Sequence, residues 1–205
     1  MDRTRVARSE STSLVAEVRE NATLLGGALA LMWALEIVDF LIFGGALDAL
    51  GVRPRSLQGL WGVLMAPLLH GGFGHLMANS APFFLLGALS MVRRRMDFFV
   101  VTAASALTAG LGTWLIGAGN SVHIGASGVV FGYLGFLLGR GWYERRPSAI
   151  ALSVAVGLGF GGMLWGLVPH LQAGISWEGH LFGFLGGLAC ARLLGRALRA
   201  RRDIG

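Results

Sequence analysis

The chain has 205 residues, of which 54% are hydrophobic and only 14% charged, and its formal net charge is +6. Soluble domains average about 25% charged residues, so one water-soluble core is excluded, and the lone Cys190 excludes an internal disulfide and a multi-cysteine metal site. All 17 basic residues are arginine, and where they fall decides whether nucleic acid needs to be considered as a partner.

Residues 1–20 are polar, of mixed charge, and lack the short apolar core and cleavage site of a secretory signal. They read as a cytosolic, partly disordered N-terminal arm. Six apolar stretches then approach the roughly 20 residues that cross a bilayer as a helix: 22–47, 73–91, 98–117, 126–142, 148–168 and 179–196. They predict an all-α membrane domain over residues 21–198, followed by a cytosolic basic tail at 199–205. Between the first two stretches, Pro54, Pro67, Gly71 and Gly72 break the sequence too often for a span. This part is expected to be a re-entrant or interfacial loop on the outer face, with Trp61 at headgroup depth.

With the N-terminus in the cytosol, only Arg53 and Arg55 lie outside and fifteen arginines lie inside, as the positive-inside rule requires. The C-terminus is then cytosolic too, and the chain is expected to be a multi-pass protein of the cell membrane, in a bacterium the inner membrane. The basic charge is thereby a topology signal directed at lipid headgroups, and no nucleic-acid partner is expected.

Ionisable and amide side chains are costly in hydrocarbon, so those inside spans are candidates for function. Spans two, four and six all run from outside to inside. Their first turns carry His75 and Asn79, Ser127, and His180, which therefore share one layer near the outer surface. His75 and Asn79, four apart, project from one helix face. Span four repeats glycine at Gly125, Gly128, Gly132, Gly135 and Gly139, and span six carries Gly183 and Gly187 on the face of His180. Two glycine-faced helices can pack backbone to backbone. Such packing would bring Ser127 within reach of His180, as a serine nucleophile and its base require.

Three patterns in this order resemble the rhomboid intramembrane proteases: His70, His75 and Asn79 before and at the start of the second helix; Gly125, Ser127 and Gly128 in GASG; and His180, Gly183 and Gly187 in the sixth helix. The resemblance covers residues from about 57 to 190. It implies a six-transmembrane-helix bundle and a serine endopeptidase with a Ser127–His180 dyad. Asn79, His75 and the Ser127 amide would hold the oxyanion, and Phe131 would stack on the histidine where the family often has tyrosine. His70 is expected to position the loop as a hydrogen-bond donor. Trp61 is followed by Gly62, so the arginine that anchors this loop in the family has no counterpart there. The implied partners are the lipid bilayer and membrane proteins with a transmembrane segment, cut near the outer face.

No cofactor is expected, because no His, Cys and carboxylate cluster has ligand spacing. Glu178, two residues from His180, is expected to face elsewhere. His123 and His170 are expected to be solvated in outer loops, and Glu36 and Asp39 to hydrogen-bond the outer loop or the second span. Two alternatives stand beside the protease: a catalytically inactive rhomboid-like binder of membrane proteins, and a transporter built on Glu36 and Asp39.

Overall fold

The computed structural model describes the backbone of residues 3–169 and 174–204, and the side chains of 14–169 and 174–198. Its first helix, α1, spans Arg3–Val38 and continues through a π-helical turn at Asp39–Phe43. Gly44 and Gly45, both left-handed at φ +59 and +87, end it, since only glycine enters that region without steric cost. Helix α1 thus stops before the predicted boundary at 47. It also begins far earlier than the predicted span, so residues 3–20 are helical rather than partly disordered. The arm carries four arginines and three glutamates, good helix formers, and it adjoins an apolar helix that supplies the costly nucleus.

The segment that follows is built of short pieces: 3-10 turns at Ala46–Leu50, Gln58–Leu60 and Ala66–Leu68, and a single helical turn, α2, at Gly62–Met65. Four long helices and an interrupted one complete the fold. Helix α3 spans Phe73–Met91, α4 Arg95–Ile116, α5 Ser127–Glu144, α6 Pro147–Phe160 with a 3-10 continuation at Gly161–Leu167, and α7 Trp177–Ile204. Among the described residues there is no strand, only an isolated antiparallel bridge between Val52 and His123.

Among the described residues, four helical segments are long and apolar enough to cross a membrane: Leu14–Phe43, Arg95–Ile116, Pro147–Leu167 and Trp177–Leu198. Helices α3 and α5 are less apolar, for a reason visible in the packing of α5. Its residues from Val129 to Leu137 are all buried by protein, so glycine and polar groups there meet other helices instead of lipid. The most extensive helix contact joins α5 to α7. A Cβ added at Gly183 would fall on the Gly128 carbonyl, and one at Gly187 on the Gly132 carbonyl. The glycine stripes thus bring two backbones together with nothing between them.

The loop between α1 and α3 is docked without an arginine at position 62. A Cβ at Gly62 would collide with the backbone of Gly51 and Val52, so glycine is what lets the loop close on itself. Its anchor is Arg55, whose Nη1 donates to the carbonyls of Leu115 at 3.2 Å and Gly117 at 2.9 Å. Trp114 Nε1 donates to the Ser56 carbonyl at 2.8 Å from the same helix end. At the opposite end of the bundle, Glu144 accepts from Arg93 and, at 2.7 Å, from Arg140 Nε. Arg94 lies 3.9 Å from Asp97. Arg140, Glu144 and Asp97 are buried.

Candidate active site

Ser127 opens α5 and His180 sits in the first turn of α7, the two helices whose glycine faces meet. Ser127 Oγ lies 2.8 Å from His180 Nε2. The other ring nitrogen, Nδ1, is 3.0 Å from the Gly166 carbonyl. Phe131, one turn below Ser127, stacks on the imidazole with centroids 4.1 Å apart and ring planes at 14°. Glu178 faces away from this ring and accepts from Ser176 Oγ at 3.3 Å. Ser176 also caps α7, taking the Gly179 amide at 3.4 Å.

His75 and Asn79 lie on one face of α3, and with Ser127, Phe131 and His180 they line a cavity of about 560 Å³. His75 Nδ1 accepts from the Gly71 amide at 3.4 Å, which places its proton on Nε2. Asn79 Nδ2 donates to the His75 carbonyl at 3.1 Å, so its amide is engaged with its own helix. Gly125 sits at φ +115, and a Cβ there would come within 2.7 Å of the His75 ring. The tight turn before Ser127 therefore needs glycine twice over, for conformation and for space.

His70 is buried and its Nε2 accepts from the Ala126 amide at 3.3 Å, so it holds the approach to Ser127 through an acceptor, while the neutral ring keeps its donor N–H at Nδ1. Burial, reinforced by His75, pushes His70 down to about 4, against the opposing pull of the Leu68 carbonyl; a neutral ring is what accepting requires. Gly125 is tied to the same loop through its amide, 2.8 Å from the Ala66 carbonyl.

His123 is half-buried rather than solvated: its backbone pairs with Val52, and its Nε2 lies 2.7 Å from Ser121 Oγ. Burial pushes its imidazole down and the Glu178 carboxylate opposes this. His170 lies outside the described residues. Glu36 and Asp39 are both buried. Asp39 Oδ1 accepts the Leu47 amide at 3.0 Å, and the Glu36 carboxyl faces the Gly72 amide, so both are directed at the backbone of the outer loop. No group of three or more potential metal ligands occurs among the described residues. Cys190 is buried and unpaired. Sequence reasoning missed the Gly166 carbonyl, because a main-chain acceptor leaves no mark in residue type.

The family profile described as "Rhomboid domain" matches residues 57–197. An uncharacterized protein of Mycobacterium tuberculosis is 42% identical over 183 residues, covering 86% of this chain and 76% of the relative. A Bacillus subtilis protein provisionally named a rhomboid protease is 34% identical over 140 residues, 63% of this chain and 65% of its own. RHOMBOID-like protein 5 of Arabidopsis thaliana is 31% identical over 148 residues, 65% of this chain and 43% of its own.

Proposed function

The chain belongs to the rhomboid family, a multi-pass membrane protein, and from that premise we propose that it is an intramembrane serine endopeptidase acting through Ser127 and His180. The observation that carries this reading is the 2.8 Å contact between Ser127 Oγ and His180 Nε2, made across two helices at the edge of a cavity. In the proposed reaction His180 Nε2 takes the Ser127 proton as Oγ attacks a peptide carbonyl. The oxyanion is held by His75 Nε2–H, by Asn79 Nδ2 once it releases its own helix, and by the Ser127 amide. That amide lies in the first turn of α5, where no helical carbonyl precedes it and the helix dipole is positive. The imidazolium returns its proton to the leaving amine, and water from the cavity hydrolyses the acyl-enzyme.

The same reading makes six helices transmembrane, with both termini in the cytosol. The arginine distribution supports it, as does the burial of α5, which spares that helix from having to be lipid-compatible. The substrates are membrane proteins whose transmembrane segment unwinds near the outer face. The test is labelling of the purified protein by a fluorophosphonate in wild type, Ser127→Ala and His180→Ala. Labelling confined to wild type is the expected result. Labelling that survives in Ser127→Ala overturns the choice of nucleophile, and a folded wild type that does not label overturns the protease.

A further inference from the structure

We propose that the backbone carbonyl of Gly166 is the positioning group that sets the tautomer and the plane of His180, the part that a carboxylate plays in a three-membered triad. The inference rests on the dyad reading above. A carbonyl can only accept, so the 3.0 Å contact assigns the imidazole proton to Nδ1. The Nε2 lone pair is then directed at Ser127 Oγ, 2.8 Å away. The carboxylate nearest in sequence, Glu178, does not compete for this role, because it is engaged with Ser176. Phe131 fixes the ring face, Ser127 one edge and Gly166 the other.

The absence of a side chain at 166 is part of the arrangement. A Cβ there would come within 2.9 Å of Phe131 Cζ and 3.1 Å of His180 Nδ1, so any larger residue must push the carbonyl or the ring out of line. The acceptor is carried by the 3-10 continuation Gly161–Leu167 of α6, none of whose residues is buried. The alignment of the base therefore depends on where the outer end of α6 is seated.

The experiment compares wild type, Gly166→Ala and Gly159→Ala in proteoliposomes. Gly159 lies on the same helix with nothing within 4 Å of an added Cβ, and Ser127→Ala serves as the blank. The readouts are the fluorophosphonate labelling rate, kcat and KM for a transmembrane substrate, and the nitrogen-15 shifts of His180. Misalignment of a catalytic group by about 1 Å can cost on the order of 10²-fold. Gly166→Ala is expected to lose about 10- to 100-fold in labelling rate and kcat with KM unchanged. Gly159→Ala is expected to match wild type, whose His180 should carry its proton on Nδ1. A wild-type proton on Nε2, or a Gly166→Ala that labels at the wild-type rate, overturns the inference. The nitrogen-15 measurement needs no variant, so it decides the matter even if Gly166→Ala fails to fold. A wild type that never labels overturns the dyad itself, whereas a labelling wild type beside an unaffected variant overturns only the role of Gly166.

Discussion

Gly183→Ala is the substitution that most directly connects packing to chemistry. Gly183 sits one turn below His180, and its added methyl would fall on the carbonyl of Gly128, the residue after Ser127. Both positions belong to rigid main chain, so relief requires α5 and α7 to separate by about 1 Å, at an overpacking cost of about 1–3 kcal/mol. Alanine returns up to about 1 kcal/mol in helix propensity, so the expected net destabilisation is about 1–2 kcal/mol and the protein still folds. The same separation stretches the 2.8 Å contact between Ser127 and His180 beyond hydrogen-bonding range. Activity should therefore fall far more than stability, by about 10²-fold. The assay is the fluorophosphonate labelling rate beside a thermal melt in the same detergent. A variant that labels within roughly twofold of wild type would refute the claim that this helix contact sets the dyad distance.

Gly125→Ala should combine backbone strain at φ +115 with displacement of the His75 ring, lowering substrate turnover by about 10²-fold if His75 is an oxyanion donor; unchanged turnover would remove His75 from that role. Glu144→Gln removes the carboxylate that pairs directly with the buried Arg140 and with Arg93, and removing one member of a buried pair costs about 3–5 kcal/mol. This should appear as a lower unfolding midpoint in a mixed-detergent titration, with the labelling rate of the folded fraction unaltered. His70, held at about 4 against an ordinary 6.5, contributes a pH dependence of definite sign. Below pH 6.5 the unfolded chain binds a proton that the folded chain refuses, so stability falls as the pH drops toward 4, at up to about 1.4 kcal/mol per unit. Melts at pH 7 and 5 should differ less in His70→Gln than in wild type, and equal differences would show that His70 is not the group responsible.

The helices were legible wherever apolar runs end in punctuation. Gly71 and Gly72 precede α3 and three arginines follow it, and the predicted 73–91 coincides with its bounds. The start of α1 was hidden because hydropathy finds what can enter a membrane, while the helix of residues 3–20 rests on propensity and on continuity with its apolar part. The meeting of Ser127 and His180 could be read from glycine spacing on two helices, since such stripes have few other uses in a membrane. Two features were not legible. That His70 accepts from the Ala126 amide is set by its partner, and a sequence does not name partners. Arg140 counts in the sequence only as one of the charges on the inner side, and the arrival of Arg93 from the turn between α3 and α4 is what gathers it with Glu144 into one cluster.

The contact between α5 and α7 has a one-sided tolerance. At Gly135, Gly183 and Gly187 the smallest residue is already in use and an added Cβ would fall on the backbone of the facing helix, so no substitution there can draw the helices closer and every substitution drives them apart. Random change at this seam can only lengthen the gap between hydroxyl and imidazole. Any improvement in the alignment of that pair has to come from residues that move the rings, not from residues that move the helices.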